Sequence, residues 1–177
     1  MFLSNEKVVY PGHGVAHINR IIEKKIAGNA VFFFELTFLS KDMIILVPVD
    51  NADSVGIRPL SSPECIAGIF ALLATPVVPS LSNDMSMSNW NKRNKDYQIK
   101  LRRGNLSEIS VIYRDIKYIG LHKELSFGEK MLLGQTEALL VEEISLIKNM
   151  PTHETLDYLR SLIPTMVSKG LELRQNL

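Results

Sequence analysis

Apolar and polar positions change their rhythm near residue 60. Before it, apolar residues come in short β-branched and aromatic runs: Lys7–Tyr10, Val15–Ile26, Ala30–Leu39, Met43–Val49 and Val55–Arg58. Turn-forming groups separate them, namely Pro11-Gly12-His13-Gly14, Gly28-Asn29, Ser40-Lys41-Asp42 and Asp50-Asn51. Glycine supplies the positive φ of tight turns, while Pro, Asn and Asp favour turn conformations, so these groups punctuate strands. About five short strands in so few residues predict a small, strongly bent sheet, a Tudor/SH3-like β-barrel.

After residue 61 helix signals take over. Ser62-Pro63-Glu64 sets a hydroxyl cap ahead of a proline at the first helical position and predicts a helix to about Leu73. Residues 75–88 hold two prolines and many Ser and Asn, and read as a loop. Asn89–Arg103 contains neither Gly nor Pro and is stopped by Gly104. Asn105-x-x-Glu108 and Ser126-x-x-Glu129 have capping-box spacing and open helices over Leu106–Leu121 and Phe127–Lys148. Pro151 opens a last helix to about Val167. Leu106, Ile109, Ile112, Ile116 and Ile119 recur at helical spacing, as do Leu132, Leu140 and Ile144. The expectation is an α+β chain of two modules: a β-barrel over residues 1–60, an all-α helical bundle over 61–168, and a frayed tail over 169–177.

Composition narrows the classes. The chain has 177 residues, 46% hydrophobic and 22% charged, which is ordinary for a globular protein. A net charge of +1 excludes a globally basic, nucleic-acid-coating surface. The distribution is uneven, however. Residues 88–103 hold Lys92, Arg93, Lys95, Lys100, Arg102 and Arg103 against Asp96 alone. All the excess positive charge therefore sits on one predicted helix, which begins with the only tryptophan, Trp90.

On a 3.6-residue period Trp90, Asn94, Tyr97 and Leu101 share a stripe. Tyr97 and Leu101 are its expected buried part, with Trp90 at the tip. An aromatic wedge beside several cations suits a minor groove or a duplex–single-strand junction. The cations neutralise phosphates and release counterions, while the flat ring props apart a base step. The same pattern also describes a solvated basic helix with Trp90 plugging the end of the bundle, since tryptophan is usually well buried.

Other chemistry is sparse. His13, His17, His122 and His153 are dispersed and match no metal-ligand spacing. Pro11-Gly12-His13-Gly14 lacks the spacing of a dinucleotide-binding loop and reads as a turn between strands. Cys65 is the sole cysteine, which rules out an internal disulfide and a cysteine-cluster zinc site and fits a reducing compartment. It reads as a buried helical residue. No nucleophile–base or paired-carboxylate pattern stands out. The expectations are a non-enzyme with no cofactor and no small-molecule substrate. No apolar run is long enough to span a bilayer and no secretory leader is visible, so no membrane partner and a cytoplasmic location are expected.

Together these residues resemble the CarD/CdnL family of bacterial transcription regulators. Val8-Val9-Tyr10-Pro11-Gly12-His13-Gly14-Val15-Ala16 resembles the family's opening VVYPxHG(A/V)A. Val47-Pro48-Val49-Asp50-Asn51-Ala52, followed by Val55-Gly56-Ile57-Arg58, resembles its VPxxNAxxVGxR element. Trp90-Asn91-Lys92-Arg93, then Lys100-Leu101 and Gly104, resembles its W-x-(K/R)-R…KL…G stretch. Val111-x-x-Arg114-Asp115 is similar to VVRDL. Leu125-Ser126-Phe127-Gly128-Glu129-Lys130-Met131-Leu132 is similar to LSxGEKxML, one position shorter.

The resemblance implies a Tudor-like module that docks on the RNA polymerase β subunit, as the related module of transcription-repair coupling factors does. It implies a helical module that touches promoter DNA at the upstream edge of the melted bubble and stabilises the open complex. Matched by position, Trp90 is the minor-groove wedge. Lys92, Arg93 and Lys95 are phosphate partners on the same helix, and Lys130 is a further one. On the polymerase face Lys24 matches a basic position between the second and third strands, and Leu46 stands where the family has another basic residue. Pairing along an exposed strand edge makes little demand on side chains and tolerates that change. The residues by themselves leave a second possibility open, a protein–protein adaptor that makes no direct DNA contact.

Overall fold

The structure, a computed structural model, describes residues 2–75 and 90–164. The loop expected over 75–88, apart from Thr75, and the tail expected over 169–177 lie outside the described residues.

Four strands and a short fifth build the first module: β1 (Lys7–Tyr10), β2 (Gly14–Ile26), β3 (Asn29–Phe38), β4 (Ile44–Pro48) and β5 (Arg58–Pro59). They form one antiparallel sheet in the order β4-β3-β2-β1-β5. One face closes over Val8, Ala16, Ile18, Phe34, Leu36, Phe38 and Val47, joined by Ala52 and Ile57. The last expected strand, Val55–Arg58, is displaced. Ala52–Val55 forms a one-turn helix, α1, which Gly56 ends in the left-handed conformation. Only Arg58 and Pro59 then pair, with Val9 and Val8.

β2 and β3 run past this core as a long hairpin closed by Ala27 and Gly28, both at positive φ, the geometry whose twist matches flanking strands. A β-bulge interrupts their register between Ile18 and Arg20. The extra residue, Asn19, is held by its side chain, which donates to Thr37 Oγ1 (2.7 Å) and Glu35 Oε1 (3.3 Å).

The second module contains α2 (Pro63–Ala74), α3 (Trp90–Arg103), α4 (Leu106–His122), α5 (Phe127–Lys148) and α6 (Thr152–Leu162). Their starts follow the caps. Ser62 Oγ accepts from Cys65 N, Asn105 Oδ1 accepts from Ser107 N and Glu108 N, and Ser126 with Glu129 makes a reciprocal capping box. α6 stops at Leu162, short of the expected Val167. Pro164 accounts for this, because a residue before proline is pushed to extended backbone, and Ile163 is extended. Ile66, Ile69, Leu101, Ile112, Tyr113, Ile116, Leu140, Ile144 and Leu159 meet in one core. Cys65 is half-buried rather than buried, with Sγ 3.5 Å from Ser107 Oγ.

The modules are clamped at a polar joint. Arg58 grips Glu143 of α5 with two bonds of 2.9 Å, and its Nε donates to the carbonyl of Gly104 (2.9 Å). Ser61 adds its backbone N–H and hydroxyl to the same Glu143 oxygen, each at 2.7 Å. Glu143 is 2% exposed. Around this clamp the Pro11–Gly14 turn, read from sequence as a simple connector, lies against the helices. A β-carbon on Gly104 would come within 2.9 Å of Pro11, and one on Gly14 would collide with the Glu142 carboxylate. Both glycines also have positive φ, so the joint requires them for space and for conformation.

Removing one partner of a buried, bidentate pair strands the other charge in a medium that hydrates it poorly. Arg58→Met is expected to lower unfolding free energy by about 3 kcal/mol. It is also expected to speed protease cleavage at residues 59–62. Urea titration and a limited-proteolysis time course check both; unchanged cleavage would place the rigidity of the joint elsewhere.

Candidate nucleic-acid interface and docking face

α3 is amphipathic in an unusual way, because its inner face carries charge as well as rings. Arg93, Tyr97 and Leu101 point inward. Arg93 is buried and its Nη2 donates to Glu129 Oε1 at 3.3 Å. Lys123 donates to both Glu129 oxygens (3.1 and 3.2 Å), and the backbone N–H of Ser126 donates at 2.8 Å. Burial pushes the Glu129 carboxyl up, but the Ser126 hydrogen bonds and the Lys123 ammonium outweigh it and hold the group below its ordinary 4.5. Deeper along α3, burial pushes the pKa of the Tyr97 phenol up, reinforced by the Asp115 carboxylate beside it. Burial also raises Asp115, against the pull of Arg114, Lys100, Tyr97 and Arg93.

The expectation that Arg93 faces phosphate therefore differs from what the structure shows. Its guanidinium turns into the bundle because the capping carboxylate of α5 stands directly opposite. Arg93 locks α3 onto the start of α5. Nothing in the local sequence separates it from Lys92 or Lys95; only the helical phase of Tyr97 and Leu101, four and eight residues on, points it inward.

Trp90 is the first residue of α3 and is half-buried. The indole packs against Gly128, where a β-carbon would come within 3.0 Å of Cζ2 and press on the ring. On its other side opens a groove of about 680 Å³ between α3 and α5, into which Asn94, Gln98, Met131 and Gln135 project. The ring thus both packs on the end of the bundle and borders solvent.

The remaining cations divide by exposure. Lys92, Lys95 and Arg102 are exposed, and none joins an ion pair among the described residues. Lys130 lines the Trp90 groove and bonds Glu124 at 3.0 Å. Both partners are well exposed, so that pair contributes little and exchanges readily for another anion. Beside them stand two apolar residues that sequence reasoning passed over, Phe127 at 81% and Met131 at 61% exposure. The signal was present: the capping box fixes Phe127 as the first residue of α5, and the core stripe of Leu132, Leu140 and Ile144 turns it outward.

The second candidate surface is the outer face of the sheet. Lys24 lies within β2, opposite Val31, rather than in a loop. Leu46 lies on β4, a free edge of the sheet, opposite Glu35. The bulge at Asn19 brings them together. Before it, even-numbered β2 residues face the core; after it, Arg20, Ile22 and Lys24 sit opposite Glu35, Phe33 and Val31, on the outer side. Lys24, Ile22, Phe33, Leu46 and Ile44 thus share one solvent face, with Leu46 at 38% and Ile44 at 62% exposure.

Among the described residues no cluster of three or more His, Cys, Asp or Glu could hold a metal, and no helix is long and apolar enough to cross a membrane.

A carboxylate held below its ordinary pKa stabilises the fold above its unfolded value, and that contribution is lost as pH falls through the folded one. Glu129→Gln is expected to cost about 3 kcal/mol at pH 7, because Arg93 and Lys123 both lose the buried carboxylate charge they share. The difference between wild type and variant is expected to shrink as pH drops below 4.5, where Glu129 itself becomes neutral. Urea melts across that range check it; a constant difference would mean that charge at Glu129 is immaterial.

Two family matches and one relative agree with this geometry. Residues 2–61 match the family described as CarD-like/TRCF RID domain, and residues 77–160 match CarD, C-terminal domain. The chain is also 25% identical over 150 residues to a Bacillus subtilis (strain 168) protein described as "Putative transcription factor YdeB", covering 85% of this chain and 94% of that protein.

Proposed function

The chain belongs to the CarD/CdnL family of transcription regulators, with a transcription-related, RNA-polymerase-interacting role, and on that premise we propose that it stabilises open promoter DNA while tethered to the polymerase β subunit. The β module docks through its outer face and the β4 edge, with Lys24 supplying charge and Leu46 apolar contact. The helical module lays the exposed face of α3 along DNA at the upstream edge of the bubble. Such a factor works where the polymerase works, in the cytoplasm.

The observation that carries this reading is the seat of Trp90. The indole stands at a helix tip, packed against Gly128 and lining an open groove with Lys130, while exposed Lys92 and Lys95 lie further round the same helix. A ring so braced can prop apart a base step without being pushed back into the bundle. Unstacking costs on the order of a few kcal/mol per step, and less where strands have begun to separate. The protein therefore binds opened DNA better than closed duplex and shifts the equilibrium toward melting. A coupling of about 1–3 kcal/mol corresponds to a population change of roughly 5- to 150-fold. Tethering makes the DNA contact effectively intramolecular, so a handful of exposed cations suffices.

A protein–protein adaptor is the second reading, favoured by exposed Phe127 and Met131. It requires no salt dependence of binding to forked DNA.

Trp90→Ala is expected to shorten open-complex lifetime about fivefold or more, with polymerase binding unchanged. Lys24→Glu is expected to weaken polymerase binding and leave forked-DNA affinity alone. Filter-retention lifetimes and a polymerase pull-down measure the two; an unaltered lifetime for Trp90→Ala sinks the wedge.

Lys92→Ala and Lys95→Ala are each expected to reduce the salt slope of DNA binding by about one unit, while Arg93→Ala acts on stability instead. Slopes from titrations at several salt concentrations decide it.

A further inference from the structure

The groove beside Trp90 differs in chemistry from the wedge. The wedge needs only a flat apolar ring, yet three side-chain amides surround the space next to it: Asn94 and Gln98 from α3, and Gln135 from α5. Gln98 and Gln135 are exposed, and the single contact among the three is a long one, Gln98 Nε2 to Asn94 Oδ1 at 3.4 Å. The floor is apolar, made by Met131, Leu132 and the indole. Lys130 stands at one rim. On the α3 side Lys95 and Arg102 follow Asn91 and Gln98 along one exposed stripe at helical spacing.

We propose that this groove is a seat for one unpaired nucleobase of the separated DNA strand, immediately beside the propped step. The proposal deepens the reading above and rests on it. The volume of about 680 Å³ falls within the range of pockets that hold small planar ligands. An unpaired base presents a donor beside an acceptor on its Watson–Crick edge, and a side-chain amide offers the complementary pair. The π-face of the base covers Met131 and the indole edge, a stacking contact that every base can make. Its 5′ and 3′ phosphates fall to Lys130 on one side and Lys95 on the other. Charge selects a polyanion as occupant: Lys130 lines the groove, Lys95 and Arg102 stand on the next exposed stripe of α3, and the acidic groups nearby, Glu124 and Glu129, are engaged by Lys130, Lys123 and Arg93.

The wedge and the seat then divide the work. Trp90 holds the step apart, and the groove occupies the base that the opening releases, so that re-pairing competes with a bound state. Duplex DNA has no base to offer, and the seat adds selectivity for melted DNA without reading a sequence.

The test compares forked DNA carrying a normal first unpaired base with the same fork carrying an abasic residue there. It uses the full chain and the double variant Gln98→Leu/Gln135→Leu, whose positions are exposed and leave Trp90, Arg93 and Glu129 untouched. Wild type is expected to lose about tenfold in affinity on the abasic fork. The double variant is expected to bind both forks alike, at the weaker level. Equal wild-type affinity for the two forks overturns the seat. Loss of affinity for both forks by the same factor in the double variant also overturns it, since the amides would then serve the backbone. Wild type separates the two levels of the argument: if it prefers either fork over duplex yet binds the abasic and normal forks equally, the wedge stands and the seat falls. If wild type shows no salt-dependent fork binding at all, the DNA reading itself fails.

Discussion

The architecture depends on the Arg58–Glu143 pair. A sheet of five short strands and a helical bundle each have a core, and neither core crosses between them. What joins them is polar: a bidentate guanidinium–carboxylate bond, Ser61 on the same oxygen, and the Gly104 carbonyl on Arg58. Unlike apolar contact, such a joint has direction, because the planar fork of Arg fits one approach of the carboxylate. The surrounding glycines, Gly14 and Gly104, leave room for the Glu142 carboxylate and for Pro11 to come in closely enough for that geometry. A surface on the sheet and a surface on α3 are thereby held at one mutual orientation.

A similar logic governs the end of the bundle that carries Trp90. Glu129 is at once a helix cap, a counter-ion and a spacer. It satisfies the backbone of Ser126, neutralises Lys123 and draws Arg93 inward. With Arg93 drawn in, α3 is fixed in rotation, and its rotation decides which cations face out. The Gly-Glu-Lys run of α5 thus has three separate duties at adjacent positions: Gly128 seats the indole, Glu129 sets the phase of α3, and Lys130 stands at the groove.

Much of this was legible in the sequence. Caps and breakers located the starts of α2, α4, α5 and α6 to within a residue or two, since hydroxyl and proline act through local geometry, while α6 ended five residues before the expected Val167. The α5 limits, Phe127–Lys148, agree fully. Less legible was whatever depends on long-range placement. Arg93 and Lys92 are neighbours with like charge; the helical phase of Tyr97 and Leu101 turns Arg93 inward, but its partner Glu129 lies 36 residues away. The Pro11–Gly14 turn looks like any hairpin connector until Gly104 and Glu142 are brought against it. The one-turn helix Ala52–Val55 was not expected, and the strand expected over Val55–Arg58 lies at Arg58–Pro59, because segments this short are too brief for periodicity to discriminate.

The bulge at Asn19 carries a consequence for how such a hairpin can diverge. Side-chain facing in a strand has period two, so one residue more or fewer in β2 exchanges the whole distal arm. Without Asn19 the outward set Arg20, Ile22 and Lys24 would trade places with Ile21, Glu23 and Lys25, whose partners across the ladder are Phe34, Phe32 and Ala30. A single inserted or deleted codon would therefore rewrite the recognition chemistry of the arm more thoroughly than any amino-acid replacement, while leaving the proximal half of the sheet as it is. Relatives of this chain that differ in length at that position should be expected to differ in the complexion they present to the transcription machinery.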